Sequence, residues 1–234
     1  MAKLLFMRHG FTIANNARWN NQPGISEHIK SDRECPLEKS IGAVQVAEAG
    51  NFLKEKFKEK RVLVFVSPYL RPRESAQIIY QKVHKSVGSI QFKIVEALRE
   101  IDQGAIFAKN YDEQDQELGK DEAAYFRDMK KSKKGPGLPF PYGESEVEVR
   151  RRILHFVKHD LLVACSSEEY DYVLVVAHDT VNKWLYYIIN DNFPPQQPTA
   201  AIIENGGGII FEPTTLVPHG YVVDLDNIHA NKKK

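Results

Sequence analysis

Four side chains with useful chemistry stand at or just beyond the ends of apolar runs: Arg8, His9, Arg71 and His178. Arginine presents a planar fork of donors that matches phosphate oxygens, and it stays charged at any working pH. Histidine has a pKa near neutrality and can act as a nucleophile, a metal ligand or an acid-base group. Because no set of Asp, Glu or Cys ligands accompanies the histidines, the combination favours an anionic substrate over a metal ion.

The apolar runs themselves predict an α/β fold. Short runs of buried type cover 3–7, 62–66 and 172–177, and longer stretches with helical spacing cover 42–57, 70–83 and 145–162. Such alternation is typical of a three-layer sandwich, in which helices flank a mainly parallel central sheet. Residues 208–211 and 221–225 could add edge or hairpin strands. Ligands of open α/β sheets bind beyond the carboxyl ends of the strands, so we expect the four side chains to converge there.

Composition and charge are those of an ordinary globular protein, expected to form a single domain, 1–234, with a disordered tail at about 230–234. The formal net charge of +1 lacks the basic excess of a nucleic-acid binder, so a local cluster of cations must hold any anionic ligand. Cys35 and Cys165 are predicted to be free thiols in a reducing compartment. No apolar run approaches the roughly 20 residues of a membrane helix. We therefore expect a cytoplasmic protein with no membrane or nucleic-acid partner.

The segment 103–141 is polar and differs from the rest of the chain. It contains a lysine-rich run at 130–134, followed by Gly-Pro-Gly, and it has no strong strand signal. We predict an insertion with one helix near 121–129 and then a mobile loop at the mouth of the substrate pocket.

Six short motifs follow one another along nearly the whole chain. They are Phe-Met-Arg-His-Gly-Phe-Thr-Ile-Ala-Asn at 6–15, Ser-Pro-Tyr-Leu-Arg-Pro-Arg-Glu-Ser-Ala at 67–76, Leu-Arg-Glu-Ile-Asp-Gln-Gly at 98–104, Gly-Glu-Ser at 143–145, Ala-His-Asp-Thr at 177–180 and Asn-Gly at 205–206. Their identity and order resemble those of the histidine phosphatase superfamily, which includes the cofactor-dependent phosphoglycerate mutases. Each motif alone is weak, and the specificity of the match comes from their order at strand ends.

The resemblance implies a role for each core residue, without a cofactor or a metal ion. His9 attacks phosphorus and forms a phosphohistidine. Three other side chains hold the phosphoryl oxygens: Arg8, Arg71 and His178. Glu100 protonates the leaving alkoxide and then takes a proton from the attacking water. Asn15 stands where the family often has an Asn, which implies a part in substrate binding.

Two of these assignments have close competitors. Arg73 lies two residues after Arg71, and residues two apart on a helix do not share a face, so only one is expected in the pocket. Motif spacing favours Arg71. Asp102 lies close enough to Glu100 in sequence that either carboxylate could reach the leaving group, and the motif favours Glu100.

Three further residues have two interpretations each. Glu144 and Ser145 either contribute to the site or simply begin a helix, where a hydroxyl residue is an ordinary cap. The family usually has Gly after its second histidine, whereas this chain has Asp179. That carboxylate could crowd or repel a phosphate, or it could point away and cap the following helix.

The expected activity is the hydrolysis of small phosphate monoesters. The first alternative is phosphoryl isomerisation of the phosphoglycerate mutase type, which uses the same core residues. Mutases of this family carry Glu-Arg-His-Tyr-Gly where this chain has Glu-Ile-Asp-Gln-Gly at 100–104, so the basic residue after the glutamate is missing. The second alternative is a non-catalytic phosphate-binding or interaction module, to which only Asp179 points.

Overall fold

A five-stranded sheet forms the centre of the computed structural model, which describes residues 2–15, 31–104, 109, 111–132, 139–140, 142–189 and 205–211. The strands are β1 (Lys3–Arg8), β2 (Arg61–Val66), β3 (Ser89–Ile94), β4 (Tyr172–Ala177) and β5 (Gly208–Phe211). Their order across the sheet is β3-β2-β4-β1-β5. The first four strands are parallel, and β5 pairs antiparallel with β1. The sheet is therefore mainly parallel, as predicted.

Most of these strands are visible in the sequence. The three apolar runs are confirmed as β1, β2 and β4, and the predicted strand at 208–211 is β5. The other C-terminal strand, predicted at 221–225, lies outside the described residues, as does the tail at 230–234. β3 is not predicted from the sequence. Five of its six residues are exposed, because it lies at one end of the described sheet, and it lacks the continuous apolar character of the central strands.

Helices precede or follow most strands. They are α1 (Gly42–Phe57), α2 (Leu70–Val83), α3 (Tyr111–Leu118), α4 (Lys120–Ser132), α5 (Glu146–Phe156), α6 (Leu162–Ser166) and α7 (Asp179–Ile189). The predictions at 42–57 and 70–83 are confirmed as α1 and α2. The stretch predicted at 145–162 is α5, extended by a π-helical turn at Val157–Leu161 that leads into α6. Of the helices that the structure describes, none combines the length and the apolar character needed to cross a membrane.

The helix predicted near 121–129 is confirmed as α4, but the insertion contains a second helix, α3, which is not predicted from the sequence. Gly119 separates them with a φ of +84°, in the left-handed region that favours glycine. Tyr111 and Leu118 are the only apolar residues of α3, and no helical period of apolar residues marks it in the sequence. The loop predicted after α4 lies largely outside the described residues.

The sheet separates two hydrophobic cores, and the predicted three-layer sandwich is confirmed. Side chains alternate along each strand. In β1, Leu5 and Met7 face a core that they share with α1 and α2, whereas Leu4 and Phe6 face a core that they share with α5 and α7. The two cysteines are free and buried.

The strand order brings three loops together at one edge of the sheet. β4 lies between β1 and β2, and the register pairs Arg8 with Ala177 and Val66 with Val176. The three strands therefore end side by side. The residues that come directly after them are His9, Ser67 and His178.

Candidate active site

His9 is buried just beyond β1, and its ring is held in one orientation. Nδ1 lies 2.7 Å from the carbonyl oxygen of Gly10, and a carbonyl can only accept a hydrogen bond, so Nδ1 carries the proton. The other nitrogen, Nε2, accepts a hydrogen bond from Nε of Arg71 at 3.1 Å. Burial lowers the pKa of His9 well below its ordinary value, and the charges of Arg71 and Arg8 lower it further. The ring is therefore neutral at neutral pH, with its lone pair on Nε2.

A close approach between backbones holds the His9 loop in place. A Cβ on Gly10 would lie 2.4 Å from the carbonyl oxygen of Gly42, the first residue of α1, so only glycine fits there. The Gly10 N–H also donates to Oγ of Ser75 at 3.3 Å, and that hydroxyl donates to the carbonyl of Arg71 at 2.8 Å. The loop that carries His9 is thus tied both to α1 and to α2.

Arg71 lies in the first turn of α2 and is buried, whereas its competitor Arg73 is exposed. Besides donating to His9, Arg71 contacts Asp32 twice. Its Nη1 lies 2.7 Å from the Asp32 carboxylate oxygen Oδ1 and donates to the backbone carbonyl of the same residue at 2.6 Å. The guanidinium is therefore oriented both towards Nε2 of His9 and towards the Asp32 carboxylate. No motif in the sequence pointed to Asp32.

His178 is fully buried beside His9, with the two ring centroids 5.1 Å apart. Its Nε2 lies 2.8 Å from Oγ of Ser67, the residue that follows β2. Its Nδ1 is buried and has no hydrogen-bond partner among the residues that the structure describes. Burial lowers the pKa of His178 well below its ordinary value, and Arg71 makes the next largest contribution. His178 is therefore a neutral ring with one nitrogen available to a ligand.

Tyr69 lies between the histidine and the arginine of this site, and the sequence did not single it out. Its ring centroid is 5.1 Å from that of His178, and the Arg71 guanidinium lies 5.2 Å from the same ring. Burial raises the pKa of Tyr69 to about 12, and the charge of Asp32 adds to the increase. The phenol therefore stays protonated at any working pH.

Arg8, the last residue of β1, lies close to Asp179, the residue that departs from the family pattern. Its Nη1 lies 3.8 Å from Oδ1 of Asp179, which is the first residue of α7. The other carboxylate oxygen, Oδ2, accepts a hydrogen bond from Nζ of Lys183, one helical turn further on. The Asp179 carboxylate thus faces a residue of the site rather than pointing away from it.

Glu100 lies beyond β3, after the 3-10 helix Glu96–Leu98. Burial raises the pKa of Glu100, while a hydrogen bond from the next backbone N–H and the charge of Arg71 lower it. A raised pKa suits a proton donor. Asp102 is exposed and accepts a hydrogen bond at 2.8 Å from the backbone N–H of Gly104, within a turn. The environment of Glu100 is the one expected of a general acid.

A buried ion-pair network supports the segment that carries Glu100. The Glu144 carboxylate accepts hydrogen bonds from Arg152 at 2.9 Å and from Arg99 at 2.8 Å. Arg152 also donates to the backbone carbonyl of Glu100 at 3.3 Å. Ser145 is the N-cap of α5 and forms a capping box there. The contacts therefore favour the interpretation in which Ser145 begins a helix, whereas Glu144 belongs to the ion-pair network.

Asn15 lies close to the His9 loop. Its side-chain oxygen Oδ1 accepts hydrogen bonds from the backbone N–H of Thr12 at 3.1 Å and from the Thr12 hydroxyl at 2.8 Å. Nδ2 of Asn205 lies 3.5 Å from the same oxygen and 3.4 Å from the backbone oxygen of His9. The Asn15 oxygen thus accepts hydrogen bonds within the local turn, which leaves the side-chain amide nitrogen of Asn15 to donate to a ligand. Within the described ranges, no three His, Cys, Asp or Glu side chains are grouped to hold a metal ion.

The chain matches the family model of the histidine phosphatase superfamily (branch 1) over residues 4–217. That span covers most of the 234 residues, and the chain therefore belongs to this superfamily. The expectation drawn from the six motifs is confirmed at the level of the family. No curated protein matches the sequence.

Solved structures share the fold at low sequence identity. The alpha-ribazole phosphatase from Shigella flexneri is 18% identical with a TM-score of 0.67, and the match covers 94% of this chain and 95% of that chain. A mycobacterial glucosyl-3-phosphoglycerate phosphatase is 18% identical with a TM-score of 0.64 and 91% of each chain covered. The Bacillus stearothermophilus protein YhfR is 24% identical with a TM-score of 0.65, and the match covers 95% of this chain and 96% of that chain. These similarities establish a common architecture.

Proposed function

We propose that this protein is a phosphatase that hydrolyses small phosphate monoesters through a phosphohistidine on Nε2 of His9, with Glu100 as general acid and base. The orientation of His9 carries the proposal. Gly10 holds the proton on Nδ1, and the Nε2 lone pair meets the guanidinium of Arg71. A cation beside the nucleophilic atom is the environment that an anionic phosphoryl group needs. Membership of the superfamily, and two structural neighbours that bear the name phosphatase, support the same reaction.

In the first step, Nε2 of His9 attacks phosphorus and the bond from phosphorus to the ester oxygen breaks. Glu100 gives its proton to the leaving alkoxide, and its raised pKa keeps more of it protonated at mildly acidic pH. Arg8 and Arg71 donate to the phosphoryl oxygens and stabilise the charge that spreads over them in the transition state. The amide nitrogen of Asn15 is a further donor to the substrate.

Neutral His178 serves as another donor. The Ser67 hydroxyl accepts a hydrogen bond from the backbone N–H of Tyr69 at 3.4 Å, and its own proton is then directed to Nε2 of His178. With Nε2 accepting, the proton of the neutral ring resides on Nδ1. That buried N–H, which lacks a partner among the described residues, donates to a phosphoryl oxygen.

In the second step, a water molecule attacks the phosphohistidine, and the Glu100 carboxylate takes its proton. The bond from phosphorus to nitrogen breaks, inorganic phosphate leaves, and His9 returns to its neutral form. Hydrolysis is favoured over isomerisation because the residue after Glu100 is Ile101, which is 6% exposed and apolar. A mutase needs a basic group there to grip a second anionic substituent.

The test is hydrolysis of p-nitrophenyl phosphate between pH 4 and 8 in the presence of EDTA. We expect activity in the wild type, loss of that activity in His9→Ala, and full activity in His84→Ala, an exposed histidine at the end of α2. An acid-labile phosphoenzyme should form in the wild type and not in His9→Ala. Activity that survives in His9→Ala would refute the mechanism, and isomerase turnover without hydrolysis would favour the mutase. Phosphate binding without turnover would favour the non-catalytic module.

A further inference from the structure

Asp179 lies between two cations at the edge of the site. Its Oδ1 is 3.8 Å from Nη1 of Arg8, too far for a hydrogen bond but close enough for strong attraction. Its Oδ2 is hydrogen-bonded to Nζ of Lys183. Oδ1 is buried and has no hydrogen-bond partner in the part of the chain that the structure describes. The carboxylate is thus shared unequally, with Lys183 holding it more closely than Arg8.

The position of Asp179 is one that favours an anion. It is the first residue of α7, an eleven-residue helix whose N-terminus carries partial positive charge. Arg8, in addition, stands next to the nucleophilic His9. A phosphoryl group bonded to His9 and held by Arg8 must therefore approach a carboxylate that already uses the same two sources of positive potential.

We propose that Asp179 competes with the phosphoryl group for Arg8, and that Lys183 limits this competition by holding the carboxylate away. Asp179 is then a determinant of anion affinity: it weakens the binding of inorganic phosphate and favours release of the product. Lys183 acts through Asp179 and is a positioning residue. The inference rests on the proposed function only in taking Arg8 as a ligand of the phosphoryl group.

The surroundings of Lys183 fit this role. Its ammonium group belongs to α7 and also interacts with Glu146 at the start of α5, where burial raises the pKa of Glu146 and the charge of Lys183 lowers it. The ammonium group is therefore hydrogen-bonded to the carboxylate of Asp179 on α7 and also feels the charge of Glu146 on α5. It can restrain Asp179 without entering the phosphate site itself.

The test is a double-mutant cycle on the affinity for inorganic phosphate, measured by calorimetry at pH 7.5. Asp179→Asn removes the charge but keeps the shape, and the dissociation constant should fall about tenfold, as expected for loss of one like charge at close range. Lys183→Met should raise the dissociation constant severalfold, because the carboxylate then pairs with Arg8. In the Asp179→Asn background, Lys183→Met should change the affinity less than twofold. Lys183→Arg, which keeps the positive charge, should bind phosphate as tightly as the wild type.

The cycle separates this role from simpler ones. If the lysine attracted phosphate directly, Lys183→Met would weaken binding equally in both backgrounds, and that result would overturn the proposal. Unchanged phosphate affinity in Asp179→Asn would overturn it as well. Lys54→Met, at an exposed position of α1, is the matched control for loss of a lysine and should not alter binding. Asp179→Ser, with a residue favoured at helix starts, gives the same test should the Asn variant fail to fold.

The outcome is independent of turnover. A protein that follows the predicted binding pattern without hydrolysing any monoester would contradict the proposed function and support this inference. A protein that hydrolyses p-nitrophenyl phosphate but shows no gain of phosphate affinity in Asp179→Asn would contradict only this inference. In an active enzyme, the product-inhibition constant of phosphate should also fall about tenfold in Asp179→Asn.

Discussion

At the scale of single residues, the site depends on which nitrogen of each histidine carries the proton. His9 has its proton on Nδ1 because the acceptor there is the carbonyl of Gly10. His178 is oriented by a hydroxyl instead, that of Ser67, and a hydroxyl can donate or accept. Both rings are kept neutral because burial and the nearby arginines lower the pKa of each. In the proposed mechanism, this neutral pair supplies one nucleophile, His9, and one hydrogen-bond donor, His178.

Ser67→Ala should lower kcat/KM about tenfold or more, because a buried ring nitrogen without its hydrogen-bond partner costs roughly 1–3 kcal/mol. The fully buried Ser67 is the residue that settles the proton position on His178 in the proposed mechanism. Steady-state kinetics with p-nitrophenyl phosphate provide the measurement. Ser86→Ala is the control. It removes a hydroxyl that donates to the backbone carbonyl of Val83 at the end of α2, and it should leave kcat/KM unchanged. Equal activity of the two variants would exclude the proposed role of Ser67.

Glu100→Gln should separate the two chemical steps. An aryl leaving group departs readily without a proton, whereas the attacking water still needs a base, so the phosphoenzyme should accumulate. Rapid-mixing kinetics with p-nitrophenyl phosphate should show a burst approaching one equivalent of p-nitrophenol, followed by turnover reduced about 100-fold or more. Asp102→Asn is the matched control, because Asp102 is exposed and bonded within its own turn. A burst in Asp102→Asn, and none in Glu100→Gln, would move the acid-base role to Asp102.

At the scale of elements, the site is assembled by contacts that connect one segment to the next. The Gly10–Gly42 approach brings the His9 loop against α1, and Ser75 links that loop to α2. On the other face of the sheet, Arg152 of α5 connects Glu144 with the segment that carries Glu100. His9 and Glu100, the proposed nucleophile and the proposed general acid, are therefore positioned by different helices, which pack on opposite sides of the sheet.

Arg152→Met should destabilise the fold by about 3 kcal/mol or more, since it leaves a buried carboxylate without one of its partners. The same change should lower kcat more than it raises KM, because Arg152 donates to the backbone carbonyl of Glu100, the proposed general acid. Urea unfolding and steady-state kinetics provide the two measurements. Arg151→Met, at the adjacent exposed position of the same helix, controls for loss of an arginine. Similar stability of the two variants would show that the network contributes little.

At the scale of the whole molecule, the strand order creates the site. β1 and β2 are not neighbours in the described sheet, because β4 lies between them. Their carboxyl ends therefore flank that of β4, and the loops from all three meet at one edge. Burial of two histidines at this edge has a cost for the fold, because a lowered pKa in the folded state opposes protonation that the unfolded chain accepts.

The free energy of unfolding should therefore fall as the pH drops below about 6.5, the ordinary pKa of histidine, by up to about 1.4 kcal/mol per pH unit for each buried histidine. The unfolded chain binds these protons while the folded protein does not, since the pKa values of His9 and His178 are lowered. Glu100, with its raised pKa, has the opposite effect on the pH dependence of stability. That effect is the same in the wild type and in His178→Asn, so it cancels when the two proteins are compared. Urea unfolding at pH 7.5, 6.5 and 5.5 gives the free energy of unfolding at each pH. This free energy should fall less steeply with decreasing pH in His178→Asn than in the wild type. Equal slopes would mean that His178 titrates normally in the folded protein.

The sequence by itself determined the features that depend on neighbours along the chain. Apolar periodicity identified β1, β2, β4, α1 and α2, because a buried strand and an amphipathic helix each leave a local pattern. The motifs marked the candidate site residues for a similar reason: each stands in a short segment where a strand ends. Strand β3, at one end of the described sheet, and the polar helix α3 have no such pattern and are not predicted from the sequence.

The tertiary structure decided what each candidate side chain touches. Arg71 and His9 are 62 positions apart, and Ser67 and His178 are 111 apart, so no local pattern could predict the hydrogen bonds that set the histidine orientations. The sequence likewise leaves open whether the carboxylate of Asp179 points away from the site or towards it, and the folded structure places Arg8 beside it. The sequence gives the chemical type of each side chain. Its protonation and charge balance depend on burial and on partners that only the folded sheet brings within a few ångströms.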